Sequence, residues 1–332
     1  MRISNRIVSN RATVCIEFQG EHYAVDSLWT LHQKNAEHAG DLSPAAAGGL
    51  PAENFLVNAD SVSVLNTLYH WLMETHTAPS SQAVFEQARI PAEAGFAPPI
   101  MQPPLMFGLA GNCAQFWRKA GGEIRNYPVG YVRPWSSLVG HGDRVKLAHD
   151  VTTFRCAAEL GVIIGRPAAN VAVDEAREHI FGYTIVNDMI GNQWKDFAVA
   201  HHPERQPTFY ELLITSYYGR GSDGFAPTGP IIVTRDEIQD PYNLQMFTSF
   251  NGEVRDRSYT SAMIVGIEQA IAYLSQFMTL QPGSIIHMGT MGIDGITIDN
   301  NARLSDEDRV EIEIEKIGKL GICFEDHREV SG

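Results

Sequence analysis

The sequence predicts an α+β protein in which β-strands dominate. In the second part of the chain, strand-like apolar runs outnumber helical segments, and the two kinds of segment do not alternate strictly. Strict alternation is typical of a doubly wound parallel sheet, so that class is not expected. Five runs are predicted to be strands: Arg144–Leu147, Leu160–Ile164, Ile231–Val233, Ser284–Met288 and Val310–Ile314.

Residues 1–95 are predicted to form a small N-terminal α/β domain. Within it, residues 12–25 favour a β-hairpin, because two β-prone runs flank a turn that contains glycine. A helix is expected after Asp60, a residue type that caps helices. Three leucines then follow at helical spacing: Leu65, Leu68 and Leu72. Residues 78–104 are rich in Pro and Ala and indicate a connector, so residues 96–332 are predicted to form a second, larger domain.

Two helices are predicted to interrupt the strands of the second domain. The first covers Val173–Ile180 and the second covers Ser261–Phe277. In the second helix, four apolar residues recur on one side: Ile264, Ile267, Ile271 and Leu274.

Composition excludes several classes of partner. The 332 residues include 25 Lys+Arg and 39 Asp+Glu, so the formal charge is −14, which disfavours nucleic acid. No apolar stretch approaches the roughly 20 residues that span a bilayer, and the first ten residues lack the apolar core of a secretory signal. The four cysteines are scattered without a CxxC pair. These features predict a soluble, reduced, cytoplasmic protein with no membrane partner.

One glycine motif is a formal match to the dinucleotide fingerprint G-x-G-x-x-G. It consists of Gly219, Gly221 and Gly224. That motif works only when its last glycine opens a helix whose N-terminus faces the pyrophosphate. Here Pro227 and Pro230 follow and exclude a helix, so dinucleotide binding is not expected.

Two carboxylates lie at the ends of apolar runs. Glu159 precedes the predicted strand Leu160–Ile164, and Asp188 follows the apolar segment 183–187. On neighbouring strands they could share a hard cation such as Mg²⁺ or Mn²⁺, which prefers oxygen ligands. Alternatively, each carboxylate pairs with a nearby arginine or lies at a solvated strand end. The spacing alone leaves both interpretations open.

Two adjacent histidines, His201 and His202, lie in a polar, Pro-containing stretch. A histidine can act as a general base near neutral pH, so this pair is a candidate for catalysis. The alternative is that both are solvated loop residues.

Eight stretches of the second segment form a recognisable series. They are residues 134–147, 158–166, 179–189, 224–244, 251–255, 260–264, 272–286 and 288–290, with the sequences PWSSLVGHGDRVKL, AELGVIIGR, HIFGYTIVNDM, GFAPTGPIIVTRDEIQDPYNL, NGEVR, TSAMI, AYLSQFMTLQPGSII and MGT. Taken in this order, over about residues 104–325, they resemble the fumarylacetoacetate hydrolase family.

This resemblance implies a mixed β-sandwich roll around a divalent metal, usually in a homodimer. It also implies a small-molecule substrate, namely a β-dicarbonyl compound or a 2-oxo acid, that reacts through a metal-stabilised enolate. The reaction would be C–C bond hydrolysis, decarboxylation or tautomerisation. Glu159 and Asp188 match the second and third metal-ligand positions, and Gly289 and Thr290 keep the middle of the family's Thr-Gly-Thr-Pro turn.

The chain departs from the family pattern at charged positions. Ala157 stands where the first metal-binding glutamate is expected, and Phe116 and Lys119 stand where a lid histidine and its glutamate partner activate water. The usual Arg-Asp pair after Asp188 becomes Asn192-Gln193, and a lysine becomes Arg220.

These departures leave three hypotheses. The first is a family enzyme with Mg²⁺ or Mn²⁺ at Glu159 and Asp188. The second is a metal-independent isomerase, cyclase or dehydratase that holds a larger enolisable substrate by neutral donors (Asn192, Gln193, Gly289, Thr290) and Arg220. The third is a binding protein without catalysis. In the catalytic hypotheses, Arg220 would bind an anionic group and His201 or His202 would supply the base.

Overall fold

A computed structural model describes most of the chain. The described residues are 1–35, 50–57, 60–77, 79–120, 123–147, 151–191, 204–205, 208–292, 295–299 and 304–325. The strands are β1 (Arg2–Val8), β2 (Arg11–Phe18), β3 (Glu21–Ala24), β4 (Arg89–Ile90), β5 (Phe96–Ala97), β6 (Met106–Leu109), β7 (Gly130–Val132), β8 (Leu138–Val139), β9 (Arg144–Val145), β10 (Thr153–Cys156), β11 (Ala158–Ile164), β12 (Ile180–Asn187), β13 (Ile190–Gly191), β14 (Ala226–Thr234), β15 (Gln245–Phe250), β16 (Glu253–Tyr259), β17 (Ile285–His287), β18 (Ile296–Asp299), β19 (Arg309–Ile314) and β20 (Gly318–Phe324). The α-helices are α1 (Val25–Asn35), α2 (Ser61–Thr75), α3 (Pro79–Phe85), α4 (Ala114–Ala120), α5 (Phe209–Arg220) and α6 (Ile267–Ser275). Strands therefore dominate an α+β fold, as predicted.

The largest sheet runs through both halves of the sequence. Its main order is β4-β3-β2-β1-β14-β12-β11-β17-β6-β7, with β5 paired to β1 and β8 paired to β14. Every residue of β11, β12 and β14 is buried, which explains why these strands are almost continuously apolar in sequence. The remaining described strands form a three-stranded sheet, β13-β10-β18, and a five-stranded sheet, β16-β15-β19-β20-β9.

Alternate residues of β11 serve two different cores. Leu160 and Val162 pack in a cluster with α6 and with residues of β19 such as Ile312. Ile163 packs in a second cluster with the leucines of α1 and α2. This division follows from the alternation of side chains along a strand, and it makes the sandwich that the family resemblance implied.

The local predictions for the N-terminal part are mostly confirmed. β2 and β3 form the expected hairpin, and its turn places Gln19 and Gly20 at positive φ, which suits a tight two-residue turn. Helix α2 begins after Asp60 and buries the three predicted leucines completely. However, the Asp60 side chain makes no capping hydrogen bond, because the residue itself has helical φ and ψ (−76° and −14°) rather than the extended conformation of an N-cap.

All five predicted strands are present, although only two residues of Arg144–Leu147 form a strand. In contrast, both helices predicted in the second domain are longer than the helical segments in the structure. Residues Ala176–His179 form only a short 3₁₀ turn, and Ile180 already pairs with Ile164 in the large sheet. Tertiary strand pairing therefore overrides the local helical pattern at Val173–Ile180. The second helix, α6, is shorter than the predicted Ser261–Phe277, because Gly266 provides its N-terminal boundary.

The glycine motif at Gly219–Gly224 begins in the last turn of helix α5 and ends just before strand β14. This helix-to-strand order is the reverse of the strand-to-helix order that the dinucleotide fingerprint requires.

The boundary predicted near residue 95 falls within continuous strand pairing. β1 pairs with β14 antiparallel, with Ile3 opposite Ile232, so the first and second segments share the large sheet. The division into 1–95 and 96–332 stays a prediction. Among the residues that the structure describes, no helix combines the length and the hydropathy needed to cross a bilayer.

A partly buried histidine in the N-terminal hairpin should make the fold sensitive to acid. His22 contacts Ser4 Oγ through Nδ1 at 3.1 Å and meets the Phe96 ring edge-on. Burial, with the nearby Arg6 and Arg2 charges, lowers its pKa to about 4. Because the unfolded chain has a histidine pKa near 6.5, it takes up the proton first, and the free energy of unfolding should fall as pH decreases from about 6.5 towards 4.

We expect His22→Asn to lose less stability than the parent between pH 7 and pH 5, as measured by urea unfolding. His70→Asn is the matched control, because His70 is exposed and loses little solvation on folding. An equal decline in parent and His22→Asn would contradict the prediction.

Candidate active site

The two predicted carboxylates meet at one end of the large sheet. Glu159 is the second residue of β11, and Asp188 follows β12 directly. The two strands are antiparallel neighbours with Ala158 opposite Asn187, so Glu159 and Asp188 lie side by side. Both are buried, with 1% and 4% of their surface exposed. Burial of two carboxylates at one place requires compensation, and the surrounding residues provide it.

Glu159 is held by three donors from the end of β17. His287 Nδ1 contacts Oε2 of Glu159, and the Gly289 backbone N–H donates to the same oxygen at 3.2 Å. The hydroxyl of Thr290 donates to Oε1 at 3.0 Å. The Gly289-Thr290 pair, predicted to bind substrate, thus orients Glu159 in this structure.

The turn that carries these donors is fixed from the opposite side by Asn112. Its side-chain amide donates to the carbonyls of Met288 at 2.9 Å and Val265 at 3.0 Å, and its Oδ1 accepts from Val265 N–H at 2.7 Å. Gly289 has φ of +84°, and a Cβ there would lie 2.8 Å from the Leu109 carbonyl oxygen. Only glycine therefore fits this turn without strain.

Asp188 is neutralised by two arginines. Arg133 forms a buried ion pair with Oδ1, and the Tyr131 hydroxyl donates to that oxygen at 2.8 Å. Arg220 Nε donates to Oδ2 at 3.3 Å. Arg133 also donates to the carbonyls of Met189 and Phe225, both at 3.0 Å, so its guanidinium is held in one orientation.

Arg220, predicted to be catalytic, lies at the end of α5 and reaches the site. Its guanidinium carbon lies 4.6 Å from the centre of the Tyr131 ring, and 15% of its side chain is exposed. The salt bridge and the cation–π contact orient the group, and the exposed part leaves donors for a ligand.

The two carboxyls have different protonation behaviour. Burial alone would raise the pKa of Asp188, but the Arg220 and Arg133 charges outweigh it and hold that pKa well below the ordinary value. Burial and the neighbouring Asp188 charge raise the pKa of Glu159, against the opposing effect of His287. The carboxylate charge is therefore concentrated on Asp188.

Glu159, Asp188 and His287 together could hold a metal ion. One ligand atom from each lies within 4.8 Å of the others, and all three residues are buried. The first two were predicted as ligands from sequence, but His287 was not. The available signal was a single histidine inside the apolar run Ser284–Met288. Tyr131, Arg133 and Asn112 were also missed, because the strand pairing that brings them here is not readable from spacing.

The remaining predicted site residues divide into two groups. Asn192, Gln193, His201 and His202 lie outside the described residues. The lid positions Phe116 and Lys119 lie on α4, where the Phe116 ring packs edge-on against Trp117 at 5.3 Å between centroids.

Comparisons with known proteins agree with this architecture. The family profile of the fumarylacetoacetate (FAA) hydrolase C-terminal domain matches residues 107–324. The mitochondrial oxaloacetate tautomerase FAHD2A of Bos taurus is 30% identical over 229 residues, which are 69% of each chain. Oxaloacetate tautomerase YisK of Bacillus subtilis is 33% identical over 199 residues, which are 60% of this chain and 61% of YisK. The crystal structure of maleylpyruvate hydrolase from Sphingobium sp. SYK-6 with manganese(II) and pyruvate has a TM-score of 0.67 at 22% identity and covers 98% of both chains, which shows the shared fold.

The position of His287 depends on the absence of a side chain at Gly108. A Cβ at that position would lie 2.2 Å from Cε1 of His287 and 2.7 Å from Cζ of Tyr131. We expect Gly108→Ala to lower the free energy of unfolding by about 2 kcal/mol, the range of overpacked cores. Gly95→Ala should stay within about 0.5 kcal/mol of the parent, because the nearest atom to a Cβ there is 3.8 Å away. Urea unfolding measures both; equal stability of the two variants would show that the site tolerates the methyl group.

Proposed function

The chain belongs to the fumarylacetoacetate hydrolase family, and from this premise we propose that it enolises a small 2-oxo acid, with keto–enol tautomerisation as the favoured reaction. The observation that carries the proposal is the buried pair of carboxyl groups of Glu159 and Asp188, with Arg220 in an ion pair with Asp188. Decarboxylation proceeds through the same enolate and is the nearest related reaction.

Charge balance supports an anionic substrate. The described part of the site contains two carboxylates and two guanidiniums, those of Arg133 and Arg220, so its formal charge is close to zero when both carboxyls are ionised. Arg133 is completely buried, and both of its terminal nitrogens already donate to Asp188 or to backbone carbonyls, whereas Arg220 is partly exposed. Arg220 is therefore the group that would bind the substrate carboxylate or the enolate oxygen.

Hydrolysis is disfavoured by the residues of the lid helix. Hydrolysis adds water to a carbonyl, so a base must take a proton from that water. Phe116 has no ionisable group, so the histidine–glutamate pair that the family resemblance implies is absent from positions 116 and 119. Tautomerisation consumes no water and therefore does not depend on a pair that activates water. It requires an acceptor for the proton that leaves the carbon beside the carbonyl and a donor for the proton that joins the carbonyl oxygen.

The proton acceptor in this proposal is His201 or His202. Imidazole is the side chain whose ordinary pKa lies nearest neutral pH. Thr290 and Gly289 would keep Glu159 oriented through the reaction, since both donate to its carboxylate. Exclusion of water from the buried carboxylates would strengthen the attraction of Arg220 for the developing negative charge.

A divalent cation fits the donor set of this site. Glu159, Asp188 and His287 would hold it, and it would supply Lewis-acid stabilisation of the substrate's adjacent oxygens. Since two guanidiniums already neutralise Asp188, a cation that binds without an anion would add uncompensated positive charge to this buried site. We infer that metal and anionic substrate bind together.

The relatives that are oxaloacetate tautomerases support a dicarboxylic 2-oxo acid as the first substrate to test. A metal-free isomerase is the second candidate function, and the observation in its favour is Ala157, which offers no ligand where the family has a glutamate.

Replacement of Arg220 should remove substrate binding without unfolding the protein, because Arg133 and Tyr131 still compensate Asp188. We expect Arg220→Ala to lower kcat/KM for oxaloacetate tautomerisation by about 100-fold or more, the loss of one charge-assisted contact in a buried site. Arg255→Ala, at an exposed ion pair with Glu253, should leave the rate unchanged. Ultraviolet absorbance of the enol measures the rate; an unchanged kcat/KM in Arg220→Ala would remove this residue from the reaction.

Metal binding should depend on an anionic ligand. We expect calorimetric titration of Mn²⁺ into EDTA-treated protein to show at least roughly tenfold tighter binding with saturating oxalate than without it, because the two charges compensate each other. The double variant Glu159→Gln/Asp188→Asn should not bind Mn²⁺ either with or without oxalate. Equal affinity with and without oxalate would contradict the coupling, and no binding up to millimolar Mn²⁺ in both conditions would favour the metal-free candidate.

A further inference from the structure

The site lacks one carboxylate on the side where Glu159 lies. Side chains alternate along extended chain, so Ala157 and Glu159, two residues apart, point to the same face. The backbone of Ala157 also accepts a hydrogen bond from Asp188 N–H at 3.0 Å, which places it beside both candidate ligands. A methyl group at this position contributes no ligand, so a metal here needs a third donor from elsewhere.

His287 is placed to be that donor. β17 pairs with β11 on the side away from β12, and His287 lies opposite Gly161. The imidazole is fully buried, and the absent side chain at Gly108 leaves the space that the imidazole and the Tyr131 ring occupy. No charged residue of β17 or β6 competes for this position, since the rest of both strands is apolar or glycine.

Nδ1 is the ring nitrogen of His287 that faces the site. It contacts Oε2 of Glu159, so an ion that displaces the proton between these two atoms could bind both of them. Nε2 lies on the opposite side of the ring, where a Cβ at Gly108 would be 2.4 Å away, and it has no hydrogen-bond partner among the described residues. Nε2 would carry the ring proton when Nδ1 binds the ion.

We propose that His287 is a metal ligand that takes the place of the carboxylate missing at Ala157. The inference rests on the proposed function, because it concerns the same site. Its consequence is a different metal preference. Mg²⁺ favours oxygen donors, whereas an imidazole nitrogen favours divalent transition metals such as Zn²⁺, Fe²⁺ and Co²⁺. The site would therefore select a transition metal over Mg²⁺.

The first experiment compares affinities with and without the nitrogen donor. Co²⁺ and Mg²⁺ are titrated calorimetrically, with saturating oxalate, into EDTA-treated parent and His287→Gln, which replaces the nitrogen by an amide oxygen. We expect the variant to lose at least about tenfold in Co²⁺ affinity, the scale of losses around metal-bound histidines. Its Mg²⁺ affinity should change less. Equal losses for both metals, or no loss for Co²⁺ in a folded variant, would overturn the proposal.

The second experiment does not require a variant at His287 to fold. Pulsed electron paramagnetic resonance of Mn²⁺-loaded parent, with oxalate, should show coupling to a histidine nitrogen that changes when the protein contains ¹⁵N-labelled histidine. The variant His201→Ala/His202→Ala is the matched control and should keep the coupling. Bound Mn²⁺ without this coupling, or loss of the coupling in the control, would overturn the assignment to His287.

The two proposals fail in different ways. Bound Mn²⁺ without histidine coupling overturns the role of His287 and leaves enolisation intact, since the oxaloacetate assay is read independently. Histidine coupling in a protein that does not tautomerise oxaloacetate or decarboxylate it confirms the ligand and overturns the proposed function.

Discussion

The neutralisation of Asp188 by two arginines is the interaction on which the rest of the site depends. A carboxylate removed from water needs nearby positive charge and hydrogen bonds, and Arg133 and Arg220 bring both. Arg133 comes from the residue after β7 and Arg220 from the end of α5, so one ion-pair group joins segments far apart in sequence. Arg133 also donates to the carbonyl of Phe225, next to β14. The same charges that make the buried aspartate tolerable therefore hold the strand ends together.

Most of the fold could be predicted because its central strands are buried on both faces. β11, β12 and β14 contain one charged residue in total, Glu159, and each includes a run of branched apolar residues that remains visible without any neighbour. The errors occurred where local pattern and long-range pairing disagree. Val173–Ile180 has a helical pattern, but its last residue belongs to a strand that pairs with β11 and β14. Strand pairing between distant segments outweighs such weak preferences, and no local window contains it.

The site was predictable only as far as its residues stand out from apolar surroundings. Glu159 and Asp188 could be recognised because they lie at the ends of predicted strands. Two interpretations were left open for them, a shared cation and arginine partners, and the two do not exclude each other. The structure shows arginines on Asp188 and a possible metal ligand beside Glu159. The partners themselves, Arg133 and His287, could not be assigned, because their approach depends on the order of β6, β7, β11 and β17 in the sheet.

The family resemblance implies a glutamate where this chain has Ala157 and a lysine where it has Arg220. On that alignment, the site has one negative charge fewer and keeps the same positive charge. A neutral imidazole can replace the lost carboxylate as a ligand, but it does not replace its charge. A bound anion would restore the missing negative charge. In the proposed function, such a site would bind metal more weakly by itself than with a dianionic substrate or its enolate. The enolate would gain most, because its charge develops beside Arg220 and the residues that would hold the metal. The loss of a ligand charge thus couples metal affinity to the reaction that the site would promote.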